Sequence, residues 1–386
     1  MDTPHGASPG ESDRIAWLAL RLVPDLGNRS VLRLINRFGS PRAVLDAEPK
    51  ELATVEGLRG KAISALQRKE FLRHPETEWE TLQRKGVKLL ALNDPEYPSN
   101  LSAIPDPPAV LFVRGELQPR DLVAVAVVGS RAASPMGMIF TEKLSGELAL
   151  NGVTIVSGFA VGIDSAAHRG ALKAGGRTIA VLGCGLDIDY PYGQGGLRDE
   201  IAASGALVSE FPLGTPPVAG HFPQRNRIIS GLSLGVVVVE AAHRSGSLIT
   251  ARLALEQGRE VFAVPGMAHH YRSVGPHRLL REGAKLVEGA EDVLEELRPL
   301  IRRSVAPPGE PDERETPVSG LEPDELQALR ELDGNPRHID EIARSTQWPV
   351  GKVMAVLSNL ELKGVARQLP GKYFVHTWKQ TCRKSK

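Results

Sequence analysis

Residues 153–172 read VTIVSGFAVGIDSAAHRGAL. The apolar run ending at Ser157 predicts a strand, Gly158 and Gly162 punctuate a turn, and the spacing from Asp164 onward predicts a helix. Strand, glycine-bearing loop and helix in that order is how an α/β sheet presents backbone N–H groups and the positive end of a helix to an anion. The helix also sets Asp164 and His168 four residues apart on one face, a spacing suited to acid–base work. Two readings stand side by side. Either the pair is catalytic, or Asp164 caps the helix and His168 pairs with it one turn later, both holding the loop in shape. Catalysis needs a third partner as well; the second reading needs only the helix.

Outward from that stretch, residues 122–298 repeat strand, loop and helix. Strands are predicted at Val123–Val128, Val153–Ser157, Thr178–Leu182, Ala206–Ser209, Gly235–Val239, Glu260–Val264 and Lys285–Val287. A run as continuously apolar as GVVVVE (235–240) belongs to a strand buried on both faces. The sheet is therefore mostly parallel with helices on either side, a Rossmann-like, doubly wound α/β core. Ligands of such sheets sit beyond the carboxyl ends of the strands, and the glycine-rich loops all fall there.

Three further loops carry polar equipment. VVGSR at 127–131 offers Gly129 for close backbone approach, Ser130 as a hydroxyl and Arg131 as a planar fork matched to phosphate. FPQRNRIIS at 222–230 clusters Arg225, Asn226 and Arg227 at an expected helix start, suited to a sugar–phosphate backbone. Positions 225 and 227 diverge on a helix, so one arginine can face a ligand and the other a carboxylate such as Glu240. EAAHRSGSLIT at 240–250 brings Ser245, Gly246, Ser247 and Thr250 to another strand-to-helix junction. Capping explains either serine alone; it does not explain why four loops carry polar groups at one edge. The dinucleotide fingerprint fails, because Gly183-Cys184-Gly185 is followed by Ile188 where a glycine is needed. Walker A and H-E-x-x-H sequences are missing too, so no cofactor and no metal is expected.

The flanks differ in texture. Residues 1–76 show helical apolar spacing and two similar turns, VPDLGNRSVLRLI at 23–35 and VEGLRGKAISAL at 55–66. They resemble helix–hairpin–helix and sterile-alpha-motif modules, whose helix starts either meet a DNA phosphate or serve packing alone. DPEYP at 94–98 and PDPP at 105–108 predict an extended bridge over 77–121, completing a core of 77–298. Residues 299–320, rich in proline and charge, read as a linker. Over 321–378, three helical patterns and a hairpin turning at Pro370-Gly371 predict a winged helix–turn–helix, followed by a basic tail. At 386 residues and 41% hydrophobic the chain suits several soluble domains. No run approaches the ~18–20 apolar residues of a membrane span. The start MDTPHGASPGESDR is no secretory signal, and Cys184 and Cys382 form no disulfide or zinc pattern, so a cytoplasmic location is expected. A net charge of +1 neither announces nor excludes a nucleic-acid surface.

With these residues in view, the chain resembles the DNA processing protein A family (DprA, also called Smf). The resemblance rests on GSR at 129–131, SGFAVGIDSAAHRGAL at 157–172, IAVLGCGLDIDYP at 179–191, SEFP at 209–212, HFPQRNRIISGLS at 221–233, VVVVEAAHRSGSLITARLALEQGREVFAVPG at 236–266 and LLREGAKLV at 279–287. It implies a dimeric single-stranded-DNA-binding protein that protects incoming DNA in natural transformation and helps to load the RecA recombinase. Carried over, the DNA contacts are Gly129, Ser130, Arg131, Gly158, Arg225, Asn226 and Arg227. Phe159 or Tyr192 is expected to stack on a base, while Asp164, His168, Ser247 and Thr250 support the pocket. Tyr192-Gly-Gln-Gly-Gly196 stands where members often have a lysine. The segment 275–288 is the expected dimer surface. The chain also resembles the lysine-decarboxylase-like phosphoribohydrolases, but Leu253 stands at their glutamate position. The winged helix is open to duplex DNA, as in a regulator, or to a protein.

Overall fold

The computed structural model describes residues 10–305, 322–332, 337–363, 365–369 and 371–376. The chain divides into two units, one up to Val305 and one from Ala306. In the first, nine strands form one sheet: β1 (Val87–Ala91), β2 (Val110–Gly115), β3 (Ala124–Val128), β4 (Thr154–Ser157), β5 (Thr178–Val181), β6 (Ala206–Ser209), β7 (Gly235–Val238), β8 (Glu260–Ala263) and β9 (Lys285–Leu286). Their order is β1-β2-β6-β5-β4-β3-β7-β8-β9. From β6 to β9 every pairing is parallel, with β3 between β4 (Val125 opposite Ile155) and β7 (Val125 opposite Gly235). Chain order runs outward in both directions from β3. The crevice beyond the carboxyl ends of β3, β4 and β7 is thus the switch point of a doubly wound sheet.

Alternation explains the layers. Ala124, Ala126 and Val128 pack with Val236 and Val238 against Ile228, Ile229 and Ala251, on the helices His221–Gly231 and Gly246–Glu256. Val125, Val127 and Val237 face the other way, onto Leu144, Ile163, Ala167 and Val293 of helices Pro135–Leu150, Ile163–Lys173 and Ala290–Val305. A third cluster joins Trp17, Leu18, Val31 and Leu34 to Leu89, Phe112 and Leu207 of the β1 side. Helices Glu11–Leu22, Asn28–Phe38 and Gly60–Gln67 are thereby packed on the sheet, not tethered beside it.

Residues 77–121 differ from the extended bridge expected. Pro75 opens a helix, Pro75–Arg84, as a proline at the first helical position can. The segment then supplies β1 and β2, antiparallel to each other, with β2 antiparallel to β6. The prolines at 95, 98, 105, 107 and 108 are confined to the connection between these strands, where they cost no ladder bonds. The linker expected from 299 starts later, since Ala290–Val305 stays helical through Pro299; residues 306–320 lie outside the described residues.

The second unit has helices Pro323–Arg330, Ile339–Thr346 and Val350–Leu362 and a three-stranded sheet in which Tyr373–His376 pairs antiparallel with Ala366–Leu369 and Arg337–His338. This is the winged-helix layout, closed over Ile339, Ile342, Leu357, Leu360 and Phe374. Pro370 of the expected turn and the basic tail lie outside the described residues. Among the described residues no helix is long and apolar enough to cross a membrane, and no group of three His, Cys, Asp or Glu side chains is placed to hold a metal ion.

Candidate functional site

A cavity of about 520 Å³ opens at the switch point. Gly129, Ser130 and Arg131 reach it from the end of β3, Ala160 and Asp164 from beyond β4, and Arg244, Ser245, Gly246, Ser247, Ile249 and Thr250 from beyond β7. The helix His221–Gly231 closes it with Phe222, Pro223, Arg225 and Asn226. That helix follows Gly220 without a side-chain cap; His221 N–H bonds Val218 O and Pro223 has none, so the positive end of the helix dipole, with Phe222 N–H, faces the cleft side.

Gly158 is required where it stands. A Cβ there would lie 2.5 Å and 2.7 Å from the two terminal nitrogens of Arg225 and 2.7 Å from Asp164 Oδ2. The missing side chain admits both groups to the floor of the site. Arg225 is buried and donates to the carbonyls of Gly158 and Val181, which aim its guanidinium at the β4–β5 loops. Burial, with Arg131 acting in the same direction and Asp164 opposing, lowers Arg225 to about 10, so it stays a cation at neutral pH. Burial raises the Asp164 carboxyl above its ordinary value, against the pull of Arg225, the Ala160 N–H and Arg131. Arg131, by contrast, is exposed, and its guanidinium lies 5.2 Å from the centroid of the Phe222 ring. Tyr190 packs on the other side of this arrangement, 5.5 Å from Phe222.

Several expected roles change. Asp164 does not cap its helix: the helix starts at Ile163 with Gly162 (φ +85°) at the cap, and Asp164 Oδ2 accepts instead from Ala160 N at 3.3 Å. Nor does His168 pair with it. Thr178 Oγ1 gives its proton to Ile155 O (2.8 Å) and therefore accepts from His168 Nδ1 (2.7 Å), which fixes a neutral imidazole protonated at Nδ1. Burial, then Arg225, pushes His168 down to about 3. Arg227 turns away from the cavity onto Glu210 (2.7 Å and 3.0 Å). Its partner is not Glu240, which accepts from Ser134 N and Oγ at the start of Pro135–Leu150. Helix geometry explains the divergence, since residues two apart face different sides. Arg227 is thus removed from the ligand-facing set. Phe159 is 2% exposed, its ring 6.1 Å from that of His168, so it cannot receive a base. Gly158 and Phe159 line a crevice of only about 10 Å³. Tyr192 is 90% exposed and lines neither cavity.

Asn226 lines the cavity and ties its helix to the β7 loop, Nδ2 donating to Gly246 O at 3.3 Å. Ser245 caps Gly246–Glu256, its Oγ accepting from Ser247 N, and the two hydroxyls are hydrogen-bonded at 2.8 Å. Ser247 and Thr250 are buried beneath this loop. Two residues escape a reading by motif. Arg244 is exposed on the cavity wall, and Phe222 provides its aromatic floor. Arg244 had a signal, since it follows β7 much as Arg131 follows β3, but it stood inside a segment read for its hydroxyls.

A doubly wound sheet whose switch-point cleft is walled by guanidiniums, a ring and an uncapped helix start defines a Rossmann-like α/β protein. Sequence comparison makes this specific. The DNA recombination-mediator protein A family matches residues 88–298 and the DprA winged helix domain matches 311–372. The chain belongs to the DprA family. It is 42% identical over 370 residues to the Smf protein of Escherichia coli, covering 94% of this chain and 95% of that one. It is 51% identical over 200 residues to the DprA protein of Streptococcus pneumoniae, covering 52% and 71%. The crystal structure of the S. pneumoniae protein matches with a TM-score of 0.65 at 40% identity, over 73% of this chain and 96% of that one. A structure describing the single-stranded DNA binding mode of DprA from Helicobacter pylori matches with a TM-score of 0.50 at 32% identity, over 55% and 96%.

Proposed function

We propose that this chain binds single-stranded DNA in the switch-point cavity, without catalysing a reaction on it, and acts as a recombination mediator in natural transformation. The observation that carries this reading is the set of three guanidiniums around one cleft, of which Arg131 and Arg244 are exposed and have no ionic partner among the described residues. Such groups meet phosphates, with the uncapped start of His221–Gly231 beside them, and Phe222 offers a ring to a base. Sequence preference is weak in such an arrangement, because backbone contacts dominate.

The chemistry for catalysis is poorly placed. Asp164 is buried behind Arg225, Glu240 is engaged by Ser134, and Leu253 occupies the position of the hydrolase glutamate. The strand so held is passed to the RecA recombinase, and two copies associate through the sheet edge at β9, where Leu286 is exposed.

The test is fluorescence anisotropy with labelled thymidine oligomers. Arg131→Ala and Arg225→Ala should both weaken binding to a similar extent for all sequences; unchanged affinity in both variants would overturn the cavity assignment. Free base released from AMP by the wild-type protein, and not by an Asp164→Asn variant, would overturn the non-catalytic reading. Sedimentation of a Leu286→Glu variant checks the edge, a dimer of unaltered strength arguing against it.

A further inference from the structure

A second cavity, of about 820 Å³, lies on the other side of the same helix start, between the N-terminal helices and the 211–216 loop of the core. His221 and Gln224 line it, whereas their neighbours Phe222, Pro223 and Arg225 line the first. One helix turn, about 5 Å of pitch on a rod about 10 Å across, is all that separates the two spaces. The far wall carries Arg21, Arg59 and Arg73. Asp25 is the carboxylate among the lining residues, with Glu78 paired to Arg73 and Glu210 paired to Arg227 behind them.

The three arginines are not equivalent. Arg21 donates to Glu210 O at 3.0 Å, and Arg73 pairs with the buried Glu78 at 3.1 Å. Arg59 is exposed, at the cap of Gly60–Gln67, and its side chain has no hydrogen bond or ion pair among the described residues. It belongs to the second of the two similar N-terminal turns. The first is consumed by packing, since Asn28 bonds Asp106, Pro107 and Ala109 of the core. The two turns therefore do different jobs: one fastens the helical module to the sheet, and the other leaves a cation at the rim of a groove.

We propose that this groove continues the track of a single strand out of the switch-point cavity, over Pro223 and the uncapped helix start, and that Arg59 meets its phosphate backbone. The proposal rests on the single-strand reading of the first cavity. It makes the N-terminal helices part of the binding footprint and predicts that affinity grows with strand length. An unpaired cation at the rim, a helix start with no side-chain cap and the half-buried ring of His221, backed by Phe211 at 4.2 Å, are the features a sequence-tolerant strand uses.

The experiment compares thymidine oligomers of about 6 and about 20 nucleotides, the range of single-strand footprints, on the full chain and its Arg59→Glu, Arg59→Lys and Arg131→Ala variants. Arg59 is exposed and unpaired, so these variants should fold. Wild type should prefer the longer strand. Arg59→Glu should lose that preference, with affinity for the long strand about fivefold lower and a salt slope shallower by about 0.7, while the short strand is unaffected and Arg59→Lys retains the preference. If Arg131→Ala weakens the short strand but Arg59→Glu keeps the full length preference, the groove proposal alone is overturned. If Arg131→Ala leaves the short strand untouched, the cavity reading fails, and the groove proposal with it.

Discussion

The two ends of the parallel sheet both carry arginines, and they treat them oppositely. At the amino end, Arg177 gives Nε and Nη2 to the two oxygens of Asp121 at 2.7 Å and 2.8 Å, and further bonds go to the carbonyls of Glu116 and Ser204. Thr154 closes the set by donating to Asp121 at 2.8 Å. At the carboxyl end, Arg131 and Arg244 are exposed with no salt bridge among the described residues, and Arg225 hydrogen-bonds to backbone carbonyls, with the buried Asp164 acting on its charge. A half-buried guanidinium paired to a buried carboxylate and to carbonyls is structure. One left exposed without a salt bridge is equipment for an anion the protein must meet. Arg225 and Arg227, two residues apart on one helix, repeat the contrast at smaller scale.

Breaking the amino end should have the largest effect. Arg177→Ala leaves Asp121 buried and unpaired, and should cost about 3–5 kcal/mol of stability. Urea unfolding should show it, with the DNA affinity of the folded protein unchanged. Gly158→Ala sharpens the comparison from the other side. Its Cβ would displace Arg225 and Asp164, so DNA affinity should fall steeply while stability falls by about 1–3 kcal/mol. Loss of stability with full DNA binding would argue that Arg225 does not serve the cavity.

Smaller effects follow. Phe222→Ala should weaken single-strand binding by about 1–3 kcal/mol if a base stacks on the ring, and a titration with oligothymidylate reads this directly. His168 gives a pH signature of the supporting wall. Its folded value of about 3 lies below the ordinary 6.5 of a free histidine. The unfolded chain therefore binds the extra proton between these values, and the stabilisation is full above pH 6.5 and lost as pH falls, by up to about 1.4 kcal/mol per unit. Asp164, shifted upward, has the opposite slope but is common to both proteins. The stability of wild type should hence fall more steeply than that of His168→Gln between pH 6.5 and about 4.5; parallel curves would show that His168 is not held neutral by the fold.

Periodicity made the core legible. Runs such as Gly235–Val238 and Thr154–Ser157 declare buried parallel strands, and glycine-rich loops at their ends declare the edge where a ligand sits. β1 and β2 were hidden because the prolines between them dominated the segment, though Val87–Ala91 carries an apolar run of its own. Within the site, residue types were legible and directions were not. Sequence shows that Arg225 and Arg227 diverge, but only packing decides which meets Glu210. Phe159 shares the glycine loop with Gly158, yet its ring enters the apolar cluster beside Leu182 and Ala180. Asp164 and His168 have the spacing of a pair, but Ala160 and Thr178 compete for them and win on distance. Tertiary partners settle such choices, and those partners come from elsewhere in the chain.

The central claim is that exposed guanidiniums without salt bridges at the carboxyl end meet the phosphates of a single strand. The most direct measurement is the salt dependence of oligothymidylate binding for wild type and the Arg131→Ala, Arg244→Ala double variant. The claim predicts that the slope of log K against log salt becomes shallower by about 1.4, two contacts at about 0.7 each, with an unchanged unfolding midpoint. An unaltered slope and affinity in a folded double variant would contradict it.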